Sequence, residues 1–176
     1  TSVFGGEREV LYEELKWAST VQEAMGIIEK LQRYYRSSMS EELQVMLSKG
    51  LSYMGNRQLN AAEKIFFEAL DKDKEAVEFY YLLATTQMMR HVYSMCSDDK
   101  CLARGIRMLE ICIEKDSMHI GCLYKAAMAQ AEAKDMEAVL TYLEALEEVC
   151  GLCYFSGVPL TKYIEEMKKQ QMKLML

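Results

Sequence analysis

The stretch MLSKGLSYMGNRQLNAAEKIFFEAL, Met46–Leu70, decides how the chain folds. Met46, Leu47, Gly50 and Tyr53 recur at three- and four-residue steps, the spacing of one face of an α-helix. Gly55-Asn56 interrupts the pattern as a turn. Leu59, Ala62, Phe66, Ala69 and Leu70 then resume it, which predicts a second helix folded back on the first. Asn60 and Glu63 have capping-box spacing near its start. The small residues carry the physical argument: Gly50 and Ala62 let two antiparallel backbones approach where larger side chains would collide. Phe66 fills the space beyond them, and Ala69 admits the next pair of helices.

The same pattern continues outward in both directions. Tyr80, Leu83 and Ala84 each follow Met46, Lys49 and Gly50 by 34 residues and open a second pair. Its second helix reads Leu102, Gly105, Leu109, Cys112 and Ile113. About nine extra residues fall between these two helices when measured against a regular period. They lie around Arg90–Lys100, so either the helices lengthen there or a loop protrudes; Asp98-Asp99 reads as an N-cap for the next helix. A third pair is carried by Leu123, Ala126 and Ala127, then Ala138, Tyr142, Ala145 and Leu146, with its turn at Lys134-Asp135. Upstream, Val10, Leu11, Leu15 and Trp17 fall on roughly one side of a helix. Val21, Ala24, Ile28, Leu31 and Tyr35 make the stripe of another, and Thr20 with Glu23 and Ser38 with Glu41 have capping-box spacing. Downstream, Gly151–Pro159 reads as a linker before a last amphipathic helix through Leu160, Tyr163, Ile164 and Met167.

Gly50, Tyr53, Leu59, Ala62, Phe66 and Ala69 stand at the spacing of a tetratricopeptide repeat, and the stretch resembles that family. Met46 replaces the usual tryptophan, Lys49 a usual leucine and Lys74 the closing proline. The resemblance covers roughly residues 40–150 and implies an all-α fold, a right-handed superhelix of antiparallel helix pairs with capping helices at both ends. The expected division is degenerate N-terminal helices over 7–36, repeats over 40–74, 76–116 and 117–150, and a capping helix over 159–175, all in one domain. It also implies a concave groove lined by the first helix of each pair. The family's groove positions fall on Leu47, Leu51 and Met54, then Tyr81, Thr85 and Met88, then Tyr124 and Met128. Family members that clamp acidic C-termini use lysine and asparagine at such places. Leu47 and Leu51 occupy two of them here, so the expected ligand is an apolar helical or extended segment of another protein. The alternative occupant is one of the chain's own terminal helices.

Composition bounds the function. The chain has 176 residues, 51% apolar and 27% charged, enough for one packed domain. One proline and nine glycines leave too few breaks for many short strands. The net charge of −6 argues against nucleic acid, which demands a basic face. Lys168, Lys169 and Lys173 read as the complement of a helix C-terminus rather than a membrane patch. No apolar run is long enough to span a bilayer. A cytoplasmic setting is expected, the cytosolic face of an organelle included, and the six cysteines are expected as thiols.

Little suggests catalysis. Cys150-Gly151-Leu152-Cys153 has the spacing of a redox pair or half a zinc site, but no strand precedes it and no second CxxC follows. His91 and His119 belong to no triad pattern; His119, after Asp116-Ser117-Met118, reads as a capping or surface residue. No glycine-rich phosphate loop occurs. The expectation is a non-enzyme without cofactor or metal, working as an adaptor or scaffold. A chaperone for a secreted or assembling client is the nearest alternative. Another is a membrane-anchored adaptor, since Tyr80–Ile113 looks like the mitochondrial-fission adaptor. The remotest is a zinc or redox protein using Cys150 and Cys153.

Overall fold

The computed structural model describes residues 6–98 and 100–175. Among them the chain forms helices joined by turns and loops, with one small hairpin. The helices are α1 (Glu7–Lys16), α2 (Val21–Ser37), α3 (Glu41–Gly55), α4 (Leu59–Lys72), α5 (Val77–Val92), α6 (Cys101–Lys115), α7 (Ile120–Glu132), α8 (Met136–Val149) and α9 (Leu160–Leu174). Consecutive helices from α3 to α9 pack against one another. Side-chain pairs fix their sense. Lys72 near the end of α4 pairs at 2.8 Å with Glu42 at the start of α3. Arg90 near the end of α5 donates at 2.6 Å to Asn60 at the start of α4. Both neighbours therefore run antiparallel.

The turns repeat with the same geometry. At the ends of α3, α5 and α7 the chain passes through Arg57, Ser94 and Lys134, with φ of 57°, 54° and 62°. At each, the amide of that residue donates three residues back and the next amide five back, as in Gln58 to Tyr53, Met95 to Arg90 and Asp135 to Gln130. This is the Schellman closure, here built without glycine. The ends of α4, α6 and α8 share a second geometry: Asp73 and Asp116 are extended and Cys150 has a similar backbone, with φ of −148°, −144° and −144°. Their carbonyls accept in turn from Ala76, His119 and Cys153. Three helix pairs thus share one set of joints, although the segment between α5 and α6 is longer than its counterparts.

Close helix approach occurs where the small residues predicted it. Ala62, Phe66 and Ala69 are fully buried. A Cβ on Gly50 would stand 2.1 Å from the Phe66 ring, which itself packs on Phe79. Gly26 in α2 is the contrast: a Cβ there would have no neighbour within 4 Å. Gly50→Ala is therefore expected to lower stability by about 1–3 kcal/mol through overpacking. Gly26→Ala should raise it by about 0.5–1 kcal/mol through helix propensity. Denaturant unfolding followed by circular dichroism reads both signs.

Several local expectations are corrected. The cap of α3 is Ser40, whose hydroxyl accepts from the Leu43 amide, whereas Ser38 closes α2. At α4 the helix starts one residue before Asn60, so Asn60 and Glu63 turn toward α5 and accept from Arg90 and Gln87 instead of capping. Lys100 is the N-cap of α6; Asp98 accepts its amide and pairs with Arg104, and Asp99 lies outside the described residues. Between α5 and α6 the described residues, 93–98 and 100, form a loop. The linker after α8 contains an antiparallel hairpin, β1 (Tyr154–Phe155) with β2 (Val158–Pro159).

The N-terminal helices differ most from expectation. Trp17 and Val10 are exposed, and the buried face of α1 is Leu11, Tyr12 and Leu15. With Ala24, Ile27 and Leu31 of α2, these residues pack against Met118, Ile120, Val149, Leu152 and Cys153, from the far half of the sequence. Neither helix contributes to the apolar cluster formed by α3, α4 and α5. The reason is continuity of apolar surface: Ile120 and Cys150 offer it at the α6–α7 and α8 joints, and α1 and α2 cover it. At the other end, Leu160, Ile164 and Met167 of α9 close the α7–α8 core.

Candidate binding cleft and its buried polar cluster

The cleft lies where α2 faces α5 and α7. A cavity of about 200 Å³ opens there, lined by Tyr12, Leu31 and Tyr35 on one side and Tyr81, His119 and Tyr124 on the other. The rings are in contact: Tyr35 and His119 centroids lie 4.9 Å apart, Tyr81 and His119 5.9 Å. Gly121 permits this, since a Cβ there would meet His119 at 3.1 Å and Tyr81 at 3.2 Å. Lys125 stands 5.7 Å over the Tyr81 ring, and its burial lowers the ammonium pKa from the ordinary lysine value.

Beneath the rings runs a polar chain. Tyr35 donates to the Asp116 carboxylate, which is buried and also pairs with Arg8 at 3.2 Å. That carboxylate accepts only, so the Tyr35 proton is committed to it and Tyr12 donates to the Tyr35 oxygen at 2.9 Å. Burial raises both phenols well above the ordinary tyrosine value, which keeps them protonated as donors. His119 is buried as well. Its Nδ1 accepts from the Cys122 amide at 3.0 Å, so Nδ1 is the unprotonated nitrogen and Nε2 carries the proton toward Glu78. The expected capping role of His119 is met, with the ring buried rather than on the surface.

The eight groove positions divide. Tyr81 and Tyr124 meet on the cavity. Leu47 and Met54 are buried in the α3–α5 core, and Met88 is buried against Leu109 and Cys112. Thr85 turns its hydroxyl to the Tyr81 carbonyl at 2.9 Å. Leu51 and Met128 are exposed at 37% and 36%. Sequence periodicity missed Arg8, Tyr12, Glu78 and Asp116, because their meeting depends on where α1 and α2 dock.

The cysteines are not thiols. Cys96 is bonded to Cys101, Cys112 to Cys122 and Cys150 to Cys153. The Cys112–Cys122 bond links α6 and α7 across a joint that the helical register closes, which cysteine spacing alone does not reveal. Cys150 sits at the C-terminus of α8, at the negative end of the helix dipole, where a thiolate is disfavoured. A redox CxxC works from the opposite arrangement. Among the described residues, clustered metal-ligand types occur at Cys112, His119 and Cys122 and at Cys96, Asp98 and Cys101, with no such group at Cys150. No described helix is long and apolar enough to cross a membrane. Set against known proteins, the chain matches no protein-family model, and no curated protein is significantly similar to it in sequence.

Proposed function

We propose that this chain is a tetratricopeptide-like interaction protein, a right-handed superhelix of antiparallel helix pairs that binds an apolar helical or extended segment of another polypeptide without catalysis. The face used is that of α3, α5 and α7. One observation carries the reading: α2 faces part of that surface, with Leu31 and Tyr35 across one cavity from Tyr81 and Tyr124. A surface whose aromatic side chains accommodate one amphipathic helix is chemically suited to another. The repeated joints support the repeat assignment, since each pair is turned by the same two geometries. Leu51 and Met128 extend the face beyond the part that α2 covers, and methionine adapts to partners of different shape.

The test compares two exposed apolar positions. Leu51 is on α3, whereas Phe67 is on α4 and 43% exposed. Leu51→Glu is expected to cut capture of partners from an extract of the source cells by about tenfold or more, with helicity unchanged. Phe67→Glu should leave capture intact. Equal losses in both variants, or none in Leu51→Glu, reject this face as the site.

A further inference from the structure

The joint between α6 and α7 differs chemically from its counterpart one pair earlier. Asp73 and Asp116 occupy the same place in the two turns, each extended and each accepting the amide two residues on. Counting from them, Ala69 corresponds to Cys112, Ala76 to His119 and Phe79 to Cys122. All six are buried. The first joint shows that the fold is satisfied by apolar side chains at these places. The second replaces all three with ligand-type residues, and their donor atoms lie within 4.8 Å of one another.

We propose that Cys112, His119 and Cys122, once the disulfide is reduced, bind a single Cu(I) ion. Reduction needs two equivalents of a low-molecular-weight thiol: the Cys112–Cys122 bond takes up two electrons and two protons, and the thiols leave joined as their own disulfide. On binding, the two protein thiols release two protons to solvent and present thiolates, and His119 supplies a neutral nitrogen. Glu78 accepts from the Nε2–H with 2.5 Å between nitrogen and oxygen, so the Nδ1 lone pair is the one left facing Cys122. A carboxylate behind a ligating imidazole is the usual way a metal-site tautomer is fixed. The present competitor for that lone pair is one amide N–H.

The donor set selects the ion. The two thiolates are soft, imidazole also suits copper, and the donors number three, a set that fits Cu(I). Zinc wants four ligands, and both sulfurs here are fully shielded from solvent. Of the three ligands, His119 borders the cavity beside α2, together with Glu78. At the other cluster, Arg104 already occupies Asp98 at 2.9 Å and approaches both sulfurs, so a cation there is opposed by a fixed positive charge.

The experiment uses the full chain with His91→Gln, which leaves His119 as the one histidine of the two. The chain is reduced, freed of reductant under argon and loaded with one equivalent of Cu(I) in competition with bicinchoninate. X-ray absorption is expected to show two sulfurs and one imidazole nitrogen on copper. Adding His119→Gln should remove the nitrogen and weaken binding by about tenfold or more, and Glu78→Ala should weaken it by about 10–100-fold. Cys112→Ala, which copies the first joint and so should fold, is expected to lose the nitrogen signal too. The unreduced chain should not compete for Cu(I). Sulfur-only coordination in the parent, unchanged affinity in His119→Gln, a nitrogen signal that survives Cys112→Ala, or displacement of Cu(I) by an equivalent of zinc overturns the proposal.

Discussion

Phe66→Ala is expected to lower the free energy of unfolding by about 3–5 kcal/mol, whereas Phe67→Ala, one position on, should change it by less than about 0.5 kcal/mol. Phe66 is fully buried and its ring meets the Gly50 backbone on one side and Phe79 on the other. Truncation leaves a cavity that neither neighbour fills, because α3 and α4 are already held together at Ala62 and by the Lys72–Glu42 pair. Phe67 faces solvent for 43% of its surface and loses little. Guanidinium unfolding curves of the two variants distinguish the cases. A small effect at Phe66 would mean that α3 and α4 do not share a packed crossing there.

The burial of Phe66 is legible from Met46–Leu70 alone, and the reason is local. Gly50, Ala62, Phe66 and Ala69 lie within one helix pair, and their roles follow from helical period and side-chain size. The same holds for the end of α3 and the start of α7, set by Gly55-Asn56 and His119. What periodicity does not deliver is docking between distant segments. Leu11 shares its spacing with Val10 and Trp17, yet spacing does not say which side of a short helix meets a partner. Tyr35 ends a regular apolar stripe, but its hydroxyl meets Asp116, eighty-one residues away. The cysteine pairing is hidden for the same reason. The order Cys112, His119, Cys122 is visible in the sequence, but only the turn at Asp116 folds the three together.

Asp116→Asn is expected to loosen α1 and α2 while leaving α3–α6 unaltered. Asp116 does two jobs. One oxygen accepts the Met118 amide and shapes the turn, as Asp73 does for Glu75. Its other oxygen accepts from Tyr35 and pairs with Arg8. Asparagine keeps the first and loses the second, so the turn survives and the attachment of the helical hairpin does not. A hydrogen bond to a charged group contributes about 1.5–3 kcal/mol, and each 1.4 kcal/mol is about tenfold in an opening equilibrium. Amide exchange in α1 and α2 should therefore accelerate by about ten- to a hundredfold, with Asp73→Asn as the control that changes little. Uniform acceleration through α3–α6 would mean that the hairpin does not open by itself. The same variant bears on binding: if α2 covers part of the partner face, freeing it uncovers Tyr81 and Tyr124 and must strengthen capture by the Leu51 surface. Weakened capture would instead make the hairpin part of the binding site, because a group that competes for a surface and one that completes it shift affinity in opposite directions.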